Sequence, residues 1–216
     1  MTVTTTRNFD ITSLVFKPTR PNLVEIFTKV EDKEEPLIFY LHKRFSFGLS
    51  KKERQSEDHP ESKTVQYTLP ICLLSRGLKT REDINDEIGL HKVEKAVQAY
   101  LDEHRDELNL PETFDPKTAR ILVYSDQYDN GPVIYPRLMT NRKAEIYSRV
   151  SVTKVTDCGA RHSPQILNHD QILQYQKEYM EVESWIQLSS LSILSLIHIS
   201  EPTRLRRISY AVFCLK

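Results

Sequence analysis

The chain has 216 residues, of which 28% are charged and 39% hydrophobic, with Lys plus Arg and Asp plus Glu both at 30. That balance is globular and reads as one domain, neither a disordered nor a membrane chain. It also excludes a global basic field, so any contact with nucleic acid has to come from a local patch.

In chain order, Met1–Asn8 reads as a frayed Thr-rich start with no apolar core of the kind a signal peptide needs. Phe9–Phe16 reads as a first strand, and Lys17–Asn22, with Pro18 and Pro21, as a turn or extended crossing. Leu23–Val30 alternates as a strand. Glu31–Glu35 is a charged turn, and Pro36–Ser50 is a strand that Gly48 ends. The short connections predict an antiparallel meander. Lys51–Lys63 is so charged that it reads as an exposed loop. Thr64–Ser75 returns as a strand, at an edge or bent at Pro70.

Thr80–Leu108 is the helical region, with apolar residues at Ile84, Ile88, Val93, Val97, Tyr100, Leu101 and Leu108. Thr80 and Asp83 have the spacing of a capping pair, Gly89 is a candidate break, and Glu94, Lys95, Glu103, Arg105 and Asp106 form a solvated face. Ala119–Tyr124 reads as a short buried strand and Ser125–Pro132 as a hairpin turn around Asn130-Gly131. Val133–Thr140 and Ala144–Thr153 read as a strand pair. Gln171–Ile193 begins ambiguously and ends as a strand, in which Met180, Val182, Ser184 and Ile186 alternate with Glu181, Glu183 and Trp185. Core burial is the ordinary role for that single tryptophan. No apolar run reaches the roughly 18 residues of a membrane span.

Two stretches interleave aromatic rings with cations: Tyr40, Lys43, Arg44, Phe45 and Phe47 in the first, and Tyr135, Arg137, Arg142, Lys143, Tyr147 and Arg149 in the second. Single-stranded nucleic acid needs that combination, because bases stack on rings while cations track phosphates. The plain alternative is that Phe45 and Phe47 face the core while Lys43 and Arg44 face water. Other chemistry is poorly supported. No Gly-rich phosphate loop occurs. Cys158, His162 and His169 lack zinc spacing and a fourth ligand, and Asp157, His162 and Ser163 form no readable triad. Asp126 and Asp129 have no third ligand or base nearby. The odd, scattered Cys72, Cys158 and Cys214 suggest reduced thiols in a cytosolic or nuclear setting.

Four segments resemble the single-stranded DNA-binding proteins of large nucleocytoplasmic DNA viruses. They are Leu37–Ser50 with its Phe47-Gly48-Leu49-Ser50 turn, Tyr67–Ser75, Tyr135-Pro136-Arg137-Leu138, and Val182-Glu183-Ser184-Trp185-Ile186. The pattern departs at Ser46, where the family has Pro, at Arg137 in place of a second Pro, and in lacking the Gly after the late strand. The resemblance implies an OB-like β-barrel that coats single strands during viral replication without catalysis. Ser195–Lys216 is different in kind: it resembles a translated sequencing-adaptor tail. Without its Arg204, Arg206, Arg207, Lys216 and Glu201 the remaining chain is slightly acidic.

The expectation is therefore an α+β, mainly β domain over 1–194, with a non-native tail over 195–216. The domain is an OB-like partly open barrel or curved antiparallel sheet with one helical insertion at about 80–108. Tyr40, Phe45, Phe47, Tyr135 and Tyr147 are the stacking candidates. Lys43, Arg44, Arg137, Arg142 and Lys143 are the phosphate candidates. The expected partner is single-stranded DNA, with RNA as the variant. A homo-oligomer or replication proteins come next; no membrane, cofactor or metal is expected. The expected place is a viral replication site in the host cytoplasm or nucleus. The rival from another class is a protein–protein interaction or structural module without nucleic-acid affinity.

Overall fold

The computed structural model describes residues 4–5, 9–20, 23–55, 63–74, 80–124, 131–141, 143–154, 163–192 and 208–215. The architecture is α+β and mainly β. A large, mostly antiparallel sheet carries a long helix between two of its strands.

Strand β1 is Thr4–Thr5. The first meander follows as β2 (Leu14–Arg20), β3 (Leu23–Val30) and β4 (Lys33–Ser46). The start of β2 differs from the expected Phe9–Phe16. The Asp10 side chain accepts from the Thr12 N–H at 2.9 Å and caps a 3-10 turn, which delays the strand to Leu14. Beyond it, Pro18 lies inside the strand, the extended alternative of the two offered for that stretch. Among the described residues β2 pairs only with β3, so a missing N–H is tolerated at its outer edge. The β3–β4 turn has Glu31 and Asp32 at φ 47° and 62°, the conformation of a tight hairpin.

Lys51–Lys63 is a loop only in part. β5 (Ser50–Gln55) and β6 (Lys63–Thr68) form a two-stranded ribbon, because pairing through the backbone needs no apolar side chain; 56–62 lie outside the described residues. The return strand breaks at Leu69-Pro70 and resumes as β7 (Ile71–Cys72). Ala119–Tyr124 is not a strand. Buried Ile121 and Leu122 both donate their N–H to Glu94, at 2.7 and 3.0 Å, and only Val123 forms a bridge, to Val133. Strands β8 (Val133–Ile134), β9 (Arg149–Lys154) and β10 (Gln165–Leu167) follow, then a short helix α2 (His169–Leu173), β11 (Met180–Leu188) and β12 (Ser190–Ser192). Of the tail set apart in the sequence, Ile208–Leu215 is strand β13, antiparallel to β11 and parallel to β9.

β3 and β4 are zipped at their hairpin end and part beyond Pro36. From there β4 pairs β11, while β3 pairs β12, so the run 180–192 occupies the fork between them. On its other edge β4 pairs β7, and β7 pairs β8. The path then returns on itself: Met139 accepts from the Tyr147 N–H at 2.9 Å, and the chain after Tyr147 runs into β9. Leu37, Phe39, Leu41, Val150, Val152, Val182 and Ile186 point into the enclosed core.

Helix α1 (Arg81–Glu103) has the capping box expected from the sequence, with Thr80 and Asp83 each bonded to the other's backbone N–H. Gly89 does not break it; that position is buried, and α1 runs through it unbroken. The buried stripe is Asp83, Asp86, Leu90, Val93, Val97 and Leu101, one residue out of phase at its start with the apolar spacing. Ile84 and Ile88 are exposed instead, Ile88 by 50%. Glu94 is buried, not part of a solvated face.

Candidate nucleic-acid interface

The site is set by one irregularity in β4. Leu41 pairs with Ser184 and Arg44 with Val182, so His42 and Lys43 together oppose the single residue Glu183. Such a bulge inserts one residue and reverses the in–out phase of everything after it. Before it, Phe39 and Leu41 face the core and Tyr40 faces out. After it, Arg44 and Ser46 face the core, while Phe45 and Phe47 face out and are half-buried. The plain alternative, with Phe45 and Phe47 in the core and Arg44 in water, is thereby inverted, and Phe45 and Phe47 face out as the stacking reading requires.

Arg44 is not a phosphate ligand. It is 3% exposed and ion-paired to Asp83, at 2.9 Å, and to Asp86, both on the buried stripe of α1. It fastens the helix to the inner face of the sheet. Lys43, its neighbour, is half-exposed on the outer face and bonded to Glu181 Oε2 at 2.6 Å. Gly48 closes the strand at φ +85°, where an added Cβ would run into the backbone of Glu178.

On the outer face, β4 and β11 place their rings side by side. Tyr40 and Trp185 are register partners, with ring centroids 5.1 Å apart, and Tyr40 also meets His42 edge-on at 4.9 Å. A few residues along, Phe45 stacks on Tyr179 at 5.5 Å and meets Phe47 edge-on at 5.3 Å. The two groups form one aromatic band of geometry ordinary for such pairs. Tyr179 is 69% exposed. The Tyr40 hydroxyl donates to Glu183 Oε2 at 3.4 Å; burial first, and then the Glu183 charge, raise its pKa.

The second stretch joins this band only in part. Cys72 is the register partner of both Phe45 and Val133, and Tyr135, two residues past Val133, comes out on the same face. Tyr135 is exposed, and its phenol is raised by burial and then by nearby Cys72. Arg137 is half-buried beside Thr68. Lys143 and Tyr147 are exposed, but among the described residues Tyr147 makes no ring contact with the band. Arg142 lies outside the described residues, as do Asp126, Asp129, Cys158 and His162. Arg149, exposed, is in the Tyr40–Trp185 row, two strands beyond Trp185 through β13, which is about 10 Å.

Sequence reasoning missed Trp185, which is half-buried on the outer face rather than in the core, and with it His42, Glu183 and, beside Phe45, Tyr179. The signal for Trp185 lay in β11 itself: Glu181, Glu183, Trp185 and Gln187 all occupy the face opposite Val182 and Ile186. His169, the last residue of the Cys158, His162 and His169 set, accepts the Ile146 N–H at 3.0 Å through Nδ1. No group of three or more metal-ligating side chains occurs among the described residues. No described helix is long and apolar enough to cross a membrane.

A family model described as protein of unknown function (DUF2738) matches residues 8–174, the stretch that carries β2 through α2. β11 lies beyond the matched residues. No curated protein matches the chain.

Proposed function

The chain belongs to this DUF2738 family, and from the outer face of β4 and β11 we propose that it binds single-stranded DNA without catalysis. The observation that carries the reading is the aromatic band. Six rings lie on one sheet face in two groups of three: Tyr40, His42 and Trp185, linked by centroid distances of 4.9 and 5.1 Å, and Phe45, Phe47 and Tyr179, linked by distances of 5.3 to 6.2 Å. Ring faces held on a rigid sheet accept bases of any identity, at about 1–3 kcal/mol per base stacked. The curled sheet, read as an OB-like barrel, and the resemblance to viral single-strand-coating proteins both support it. The reading extends to a role in replication or recombination of a viral DNA.

The charges refine the mechanism. Lys43 is committed to Glu181 and Arg44 to the core, so stacking carries the affinity and few phosphates are neutralised. Arg149, Lys143, Lys52 and Lys177 are among the exposed cations of the described residues, while Lys51 is paired to Glu53 at 2.6 Å. Affinity then falls with salt only shallowly, because the slope for single strands is about −0.7 per phosphate contacted. The test is fluorescence anisotropy of labelled oligo-dT with the full chain at two salt concentrations. Micromolar binding that weakens in Phe45→Ala supports the reading, and no binding at low salt overturns it.

A protein–protein interaction module is the second reading, favoured by the exposed Ile84 and Ile88 on α1 close to Tyr124, whose hydroxyl donates to Glu87 at 3.2 Å. It predicts no affinity for the oligonucleotide.

A further inference from the structure

We infer that Glu183 gives the aromatic band a preference for guanine, an inference that rests on the single-strand reading above. Glu183 stands on the outer face opposite the bulge, between the band's two halves. Trp185 is two residues along its own strand, and Tyr40 is across from it. Its carboxylate differs from that of Glu181, which Lys43 neutralises at 2.6 Å. Among the described residues no cation pairs with Glu183, and its one hydrogen bond is the long 3.4 Å contact from Tyr40. An acceptor-only carboxylate thus sits at the edge of the Tyr40 and Trp185 rings, where the rim of a stacked base falls.

A carboxylate is not neutral toward the four bases. It has two acceptor oxygens in one plane and no donor. Guanine alone offers two adjacent donors on its pairing edge, the N1–H and the 2-amino group, and so meets both oxygens. Cytosine and adenine put an amino donor beside a ring-nitrogen acceptor. Thymine sets its one N–H between two carbonyls. In these three an acceptor faces the carboxylate and costs part of what the donor gains. Unstacked bases in single strands are read by hydrogen bonds on this edge, with stacking as the support. The bulge matters to the inference: by placing two residues opposite Glu183 it sends the Lys43 ammonium to Glu181 and leaves the Glu183 carboxylate to the ligand.

The experiment compares the full chain on alternating d(TG) and d(TI) single strands, where hypoxanthine lacks only the 2-amino group, with oligo-dT as reference. A hydrogen bond to a charged group predicts about tenfold tighter binding of d(TG) than of d(TI). That ratio collapses toward one in Glu183→Gln and persists in Tyr40→Phe, which removes only the 3.4 Å contact. Equal binding of all three strands by the unaltered chain overturns the guanine preference and leaves single-strand binding standing. A d(TG) preference that survives in Glu183→Gln removes Glu183 from the role. Binding to none of the strands is the separate result that fells the parent reading along with this one.

Discussion

The two faces of β4 hold their cations in opposite ways. On the inner face Arg44 is enclosed with Asp83 and Asp86 of α1, and the three groups act as a rivet between helix and sheet. On the outer face Lys43 meets Glu181 in partial contact with water, among rings that remain half-exposed. The residues are adjacent in sequence and chemically similar, and one inserted residue decides which becomes architecture and which becomes surface. Burial sets the energetic weight. Removing one partner of a buried pair leaves an uncompensated charge, whereas an exposed pair contributes little beyond what water supplies.

The largest expected effect breaks the inner face. Arg44→Ala strands two carboxylates beneath α1, and urea unfolding should show a loss of about 3–5 kcal/mol. A loss under about 1 kcal/mol would mean that the rivet does not hold the helix. Next comes the outer face. Phe45→Ala should weaken oligonucleotide binding by about 1–3 kcal/mol in anisotropy titrations while leaving the unfolding midpoint nearly in place. A fall in stability matching the fall in affinity would reassign Phe45 to the core.

Thr80→Ala removes the cap of α1 and should cost about 1 kcal/mol in the same unfolding assay. Burial raises the Cys72 thiol from 9.0 to about 11. Between those values the folded chain keeps a proton that the unfolded chain has lost, so this group makes stability fall as pH rises through that window. Cys72→Ala should flatten that part of the pH–stability curve. The smallest effect belongs to Lys43→Ala, at about 0–1 kcal/mol of stability. A cost equal to that of Arg44→Ala would erase the distinction between the faces.

Much of the scaffold is legible from period and capping. Leu23–Val30 and the alternating β11 declare themselves as strands, and Thr80 with Asp83 marks the first turn of α1 three residues apart. What stays hidden has a common cause, in partners distant along the chain. Nothing local says that Asp83 and Asp86 are buried while Ile84 and Ile88 are not, because the group that compensates them is Arg44 on another element. The bulge at His42 and Lys43 is invisible for the same reason: it exists only against Glu183. Strict alternation from Leu41 sends Phe45 and Phe47 inward and Arg44 outward, the reverse of their places in the fold. The site was half legible. Tyr40, Lys43, Phe45 and Phe47 stand on the band, Tyr135 shares its face, Arg44 leaves it, and Trp185 joins it from the strand where a core role was the ordinary expectation.

Trp185, the only tryptophan of the chain, packs against Tyr40 in the band and reports on it directly. The decisive measurement is its emission while the full chain is titrated with oligo-dT. Stacking of bases on the outer face of β4 and β11 predicts saturable quenching, with the same midpoint as the anisotropy titration and a weaker midpoint in Phe45→Ala. An oligonucleotide that raises anisotropy while Trp185 emission stays constant, or that changes neither, would contradict the account.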